Sequence, residues 1–280
     1  MDEKTPATGA EALPNRATTQ GGIARLLIKL VLLAFHLAWG AVLAALVFPF
    51  ATQARREAII ERWAQALLGR LSVRVTVTGV LAVRKGAVFV ANHISWLDVW
   101  LLDSQRACRF VAKAEVARWP LIGWLAKKTG TLFIRREQRH HTAAINREIA
   151  AALADGACIA LFPESTTSDG LRLRRFHPSL LQPAVDLGAP VIPVAIRYVD
   201  AAGNPDTTPA YIDQMTLLDS LTRIIKAETV HAELAFLPAI STRGRNRREI
   251  ARAAQAAIAA ALSLPDPDRT PETAPGLPSA

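Results

Sequence analysis

The stretch ANHISWLDVW, residues 91–100, sets a histidine five positions from an aspartate. His93 and Asp98 are the first pair in the chain able to move a proton between side chains. They cannot meet along one uninterrupted helix, because five residues turn about 500° and leave them roughly 140° apart. The sequence offers another geometry. The apolar run 86–91 reads as a buried strand, and Ser95 then N-caps a helix with Asp98 at its third position, a Ser-x-x-Asp form of the capping box. His93 falls in the strand–helix turn, where carboxylate and imidazole can be brought together. A carboxylate on one ring nitrogen fixes the tautomer and stabilises the imidazolium, and the other nitrogen can take a proton from a hydroxyl. Gly-x-Ser-x-Gly is absent, so the chain offers no nucleophile elbow. The hydroxyl is therefore assigned to the substrate, and direct transfer onto it is the expected chemistry. His-x-x-x-x-Asp is common by chance, and its weight comes from its company.

That company is a series of strand ends. GTLFIRR (130–136) closes on Arg135 and Arg136, LFPESTTSDG (161–170) carries Glu164 in a hydroxyl-rich turn, and APVIPVAIRY (189–198) is a further apolar strand. Each also has an ordinary reading as edge charge, turn chemistry or core. Together they deliver His, Arg and Glu to one rim of a sheet, where open α/β folds bind ligands, and guanidinium groups suit phosphate.

The elements that must position these residues are legible as periodicity. Strands are expected at 72–79, 86–91, 108–113, 130–136, 157–162, 190–198 and 230–237. Helices are expected at 137–154, 178–187 and 246–262. Alternation of this kind predicts an α/β fold, a mixed, largely parallel sheet flanked by helices, with an N-terminal membrane-associated helical segment. The 21 residues 30–50 hold one polar side chain, His36, expected at a helix interface. At about 1.5 Å rise per residue they match a bilayer core. Cations flank this run on both sides (Arg16, Arg25, Lys29; Arg55, Arg56, Arg62), which gives no orientation and suits a segment that enters one leaflet and returns. REAIIERWAQALLGR (56–70) puts Ile59, Ile60, Trp63 and Leu67 on one face, the pattern of an interfacial helix or of an ordinary core helix. The expected organisation is a disordered tail at 1–22, membrane-associated helices at 23–70, an α/β domain at 71–262 and a disordered Pro-rich tail at 263–280. The 280 residues suffice for a large core, and 51% hydrophobic content excludes a wholly disordered chain. A net charge of +9 calls for an anionic partner. Cys108 and Cys158 read as buried free thiols of a reducing compartment.

Four blocks resemble those of the glycerolipid acyltransferase family, whose best-known activity is 1-acylglycerol-3-phosphate O-acyltransferase. Asn92, His93 and Asp98 match the first, and Gly130, Phe133, Ile134 and Arg136 the second. Phe162, Pro163, Glu164 and Thr166 match the third, and Val191–Val194 the fourth. The similarity covers roughly residues 70–240. Ser165 departs from it, standing where the family has glycine, and so does Arg135, at a position often acidic.

The resemblance implies acyl transfer from acyl-carrier protein or coenzyme A to a lysophospholipid hydroxyl, without a cofactor or metal. His93 would be the base, Asp98 its orienter and Arg136 the phosphate ligand. Glu164, with Gly130, Ser165 and Thr166 beside it in the blocks, would organise the acceptor site. The expected acceptor is 1-acylglycerol-3-phosphate, giving phosphatidic acid; the alternative is lyso-ornithine lipid, whose amine would suit Asp169. The expected location is a membrane, the catalytic domain facing the cytoplasm. Lys127 and Lys128, Arg172–Arg175 and RGRNRR (243–248) would meet anionic headgroups or the acidic carrier protein. A membrane-anchored nucleic-acid binder is the rival from another class; it explains the charge but neither the His/Asp pair nor the ordered blocks, and the expectation is no nucleic-acid partner.

Overall fold

The computed structural model describes residues 16–81, 83, 85–134 and 139–268. Seven strands form one sheet: β1 (Val73–Gly79), β2 (Val88–Ala91), β3 (Cys108–Lys113), β4 (Leu132–Ile134), β5 (Cys158–Leu161), β6 (Val191–Val199) and β7 (Val230–Phe236), in the order β1-β7-β6-β2-β5-β3-β4. Every neighbouring pair is parallel except β6 and β7. The C-terminal ends of β2 to β6 therefore share one rim, and β1 and β7 begin there.

Both faces of the sheet are covered, which is why the central strands read as unbroken apolar runs. Along β2, Phe89 and Ala91 join the core under α2 (Gln53–Arg70), α3 (Leu97–Gln105) and α7 (Leu217–Lys226). Val88 and Val90 join the opposite core under α5 (Arg139–Ala154), α6 (Gln182–Leu187) and α8 (Arg247–Leu262). Cys108 and Cys158 face each other in register on β3 and β5, both buried and neither in a disulfide. Burial pushes the Cys108 thiol up, which keeps it unreactive.

Helix α1 runs from Arg16 to Val42 and continues through a π turn and a 3-10 turn to Phe50. The tail drawn at 1–22 thus gives way to helix at Arg16; residues 1–15 lie outside the described residues, as do 269–280 of the tail drawn at 263–280. Pro49 and the extended Ala51 end this helix, and Thr52 caps α2 by accepting from the Arg55 amide. His36 sits at the helix interface: its ring stacks on Trp63 at 4.4 Å, and each side chain bonds the other's backbone carbonyl. The helices are so close that a Cβ on Gly40 would lie 2.6 Å from the Trp63 indole nitrogen.

Two findings revise the expected organisation. First, α2 is a core helix. Ala64, Leu67 and Leu68 are buried, and Glu57 and Glu61 pair with Arg106 at the end of α3. No packing boundary falls at 70/71. Second, α1 is one-sided. Leu33, His36, Ala44 and Phe48 face inward, while Phe35 (71%), Leu46 (66%) and Phe50 (89%) are exposed on an outward face that is also apolar. Leu26–Phe50 is long and apolar enough to cross a membrane.

Candidate active site

Asn92 explains how the chain leaves the sheet. β6 extends beyond the end of β2, and the Asn92 side chain replaces the missing strand: its amide donates to the Ile196 carbonyl at 2.9 Å and its oxygen accepts from the Ile196 amide at 2.8 Å. The next residue, His93, is free to turn out of the ladder.

The turn that follows is held at every backbone group from His93 to Ser95 that a strand would otherwise pair. Glu164 accepts from the His93 amide at 2.7 Å, and the Ser168 amide donates to the His93 carbonyl at 2.9 Å. Asp98 Oδ2 accepts from the amides of Ile94 (2.7 Å) and Ser95 (2.9 Å). The Tyr211 amide donates to the Ile94 carbonyl at 2.9 Å. The expected capping box is displaced: α3 begins at Leu97 after Trp96, so Ser95 is not the cap and Asp98 is the second helical residue; Asp98 still accepts from the Ser95 amide, and the Ser95 hydroxyl accepts from the Leu97 amide.

The same Asp98 oxygen lies 2.8 Å from His93 Nδ1. Two backbone amides already donate to Oδ2, so it is an acceptor and Nδ1 must carry the proton. The Nε2 lone pair is then available, on a side chain 20% exposed, while Asp98 is fully buried. Its other oxygen accepts from the buried Tyr198 hydroxyl on β6 at 2.7 Å. The carboxylate thus has four donors, which offset the cost of burying its charge. Phe162 stacks on the His93 ring, centroids 4.0 Å apart and planes 13° off parallel. The imidazole is fixed in tautomer, position and plane.

Glu164 is buried at the end of β5 and ties two loops, accepting from His93 with one oxygen and from the Arg174 amide (2.9 Å) with the other. Burial pushes its carboxyl up from 4.5 to about 7, helped by the Asp98 charge and opposed by the two amides. A carboxyl whose proton affinity rises on folding contributes stability below its unfolded pKa and loses it as pH climbs through the folded one. The loss is roughly 1.4 kcal/mol for every tenfold gain in proton affinity. Thermal melts across the window from 4.5 to about 7 should therefore show stability falling as pH rises. Glu164→Gln should flatten that slope; an unchanged slope would assign it to another group.

The other expected site residues divide. Ser165 stands at φ +66, so this position does require the left-handed region that glycine adopts freely. Thr166 is exposed in the same turn. Gly130 is not brought to the site. It precedes β4, at the end of the sheet away from His93, where its φ of +87 and the packed Arg109 side chain make it a turn residue. Arg136 and Arg135 lie outside the described residues. Tyr198 was missed by sequence reasoning because a tyrosine in an apolar strand looks like core. Its one signal is a hydroxyl in a run that is otherwise buried on both faces, and such a group needs a partner.

The α/β fold presents an oriented imidazole at a strand end, and the nearby Ser168 hydroxyl is turned to the His93 backbone carbonyl. Comparison with known proteins gives the family. Residues 73–197 match the family model described as Acyltransferase. Over 207 residues, 74% of this chain and 79% of the relative, the sequence is 40% identical to the lyso-ornithine lipid O-acyltransferase of Pseudomonas aeruginosa. It is 37% identical over 152 residues to the 1-acyl-sn-glycerol-3-phosphate acyltransferase of Neisseria gonorrhoeae, covering 54% of this chain and 59% of that one. The crystal structure of the 1-acyl-sn-glycerophosphate acyltransferase PlsC from Thermotoga maritima shares the fold, with TM-score 0.60, 18% identity and coverage of 85% of this chain and 96% of that one. The chain belongs to the acyltransferase family and is an O-acyltransferase.

Proposed function

We propose that this enzyme transfers a fatty acyl group from a thioester, of acyl-carrier protein or coenzyme A, to the free hydroxyl of a lysolipid. The observation that carries the mechanism is the His93–Asp98 contact, with Nδ1 as donor. His93 Nε2 takes the hydroxyl proton as the oxygen attacks the thioester carbonyl. The new C–O bond gives a tetrahedral oxyanion, which expels the thiolate as the C–S bond breaks. The imidazolium, stabilised meanwhile by Asp98, returns its proton to the leaving sulfur. Glu164 acts indirectly, by holding the His93 and Arg174 backbones in place.

We place lyso-ornithine lipid first among acceptors. The relative of that name aligns over three quarters of both chains. A small cavity of about 110 Å³ beside Ile94 and Tyr198 is lined by Asp169, Asp206 and Arg197, charges of both signs that suit a headgroup carrying an ammonium beside a carboxylate. The second reading is 1-acylglycerol-3-phosphate, favoured by the exposed cations Arg172, Arg174 and Arg175 next to Glu164. Arg136, from the family block, remains the proposed phosphate ligand for that acceptor. The anchor reading is a monotopic one: α1 lies within the cytoplasmic leaflet, outward face in hydrocarbon, because its other face is docked on a domain whose cysteines form no disulfide.

The test supplies the purified chain with acyl-carrier-protein and coenzyme A thioesters and both lysolipids, and identifies products by mass. Ornithine lipid as the faster product is the expected result. Phosphatidic acid alone would reverse the order of acceptors, and thiol release that ignores both lipids would replace transferase by hydrolase.

A further inference from the structure

The segment between β3 and β4 carries an apolar patch that takes no part in the site. A 3-10 turn (Ala114–Arg118) leads to Trp119, Pro120 and Leu121, followed by the short helix α4 (Ile122–Lys128). Trp119, Leu121, Ile122 and Trp124 are 37–43% exposed, within six residues of chain. The backbone is built to hold them there. Leu121 has φ 60 and ψ −55, and the Ile122 amide donates to the Pro120 carbonyl at 2.6 Å. This is the positive-φ γ-turn, a rare and strained conformation, and strain of this kind persists only where the surrounding structure over-determines it. Gly123 lets the turn close on itself: a Cβ there would lie 2.5 Å from the Ala117 carbonyl oxygen. The knuckle is a fixed projection of large apolar side chains.

Charge and position indicate what covers it. Arg118, Lys127 and Lys128 are exposed around the patch, and Lys128 Nζ lies 5.8 Å from the Trp124 ring centroid. Tryptophan with cations that can reach outward is the composition of a membrane interface. β3 runs parallel to β5 and delivers the knuckle to the rim that holds His93 and Glu164. On the other side of that rim in sheet order, α1 docks through Lys29, whose ammonium donates to the Ile225 carbonyl at 3.1 Å near the start of β7.

We propose that the Trp119–Trp124 knuckle is a second membrane contact, which seats in the interface of an anionic bilayer and, together with α1, turns the His93 rim toward the lipid. The proposal rests on the reading of this enzyme as one that acts on membrane lipids.

The test uses the full chain reconstituted in vesicles of phosphatidylethanolamine and phosphatidylglycerol. A fluorophore on Leu121→Cys should be shielded from aqueous iodide and quenched by lipids brominated on their acyl chains. The same label on Arg245→Cys, beyond the opposite end of the sheet, should remain open to iodide. The native cysteines are buried, and unsubstituted protein controls for their labelling. Replacing Trp119, Leu121 and Trp124 together by Ser should raise KM about tenfold for lysolipid presented in vesicles and leave it unchanged for a short-chain, water-soluble lysolipid. A label at 121 that iodide still reaches overturns the proposal. So does one shielded without bromolipid quenching, since a protein would then be the cover. A KM that rises equally for the soluble lysolipid overturns it too, because the patch would then belong to the site. The label reports seating whether or not acyl transfer is observed, so failure of the functional reading is separable.

Discussion

His93→Ala lowers kcat by about a thousandfold while the variant melts with the wild-type protein. The size follows from the proposed role: a positioned general base contributes roughly 10²–10⁴. The stability follows from the geometry. The ring is partly exposed and makes one side-chain hydrogen bond, while the backbone of the turn is held by Glu164, Ser168 and Asp98, all of which stay. Asp98→Asn separates orientation from charge. The amide oxygen can still accept from His93, Ile94 and Ser95, so the tautomer survives. Its nitrogen then faces Tyr198 in place of Oδ1, and the charge that stabilises imidazolium is gone. A loss of roughly a hundredfold or more in kcat, with KM little changed, is the expected outcome. Near-full turnover by the His93 variant would remove the base from the mechanism altogether.

Tyr198→Phe is expected to cost about tenfold in kcat, the equivalent of one hydrogen bond to a charged group. Tyr198 never reaches the substrate; it is a positioning residue that acts through Asp98. Phenylalanine fills the same buried space but leaves Oδ1 without its donor. A carboxylate that has lost this donor is held less firmly, and the imidazole it orients loses its fixed position with it. The loss should fall on kcat, with KM little changed. The ionisable groups facing this pair are few. His93 and Asp98 come from the β2–α3 turn, Tyr198 from β6 and Glu164 from the end of β5, with Arg174 beyond it. A Tyr198→Phe variant that loses stability but keeps kcat would make the contact merely structural.

The central strands were legible because burial on both faces writes itself as unbroken apolar runs, as in Val88–Ala91 and Val191–Val199, and β1 and β7 because their residues alternate. Direction is not written that way. Nothing in VHAELAF announces that β7 runs against β6, because periodicity reports which side is buried and not which neighbour a strand finds. The turn with His93 and Asp98 could be inferred from a strand, a cap and a spacing, all local. Tyr198 is a hundred residues from Asp98, a pairing that only the sheet creates. Gly130 matched a block by type, yet its work is to start β4. The helix α7 was overlooked although its signal was present: Thr216 and Asp219 form a complete capping box, and Leu217, Leu221, Ile224 and Ile225 follow at helical spacing.

The seam between anchor and catalytic body has a practical consequence. Because Leu67, Leu68 and Leu71 are shared core and Glu57 and Glu61 hold Arg106, truncation before β1 does not yield a soluble catalytic fragment; it opens the hydrophobic interior. A protease that nicked the turn at 51–52 would likewise cut the covalent link without freeing α2, which stays with the domain. The route to a detergent-free form is to repaint the outside of α1. Phe35, Trp39, Leu46 and Phe50 can be exchanged for Glu or Lys without touching a buried contact, while His36, Gly40 and Ala44 keep the helix in its seat. For the proposed anchor, water solubility is a matter of surface recolouring, not of dissection.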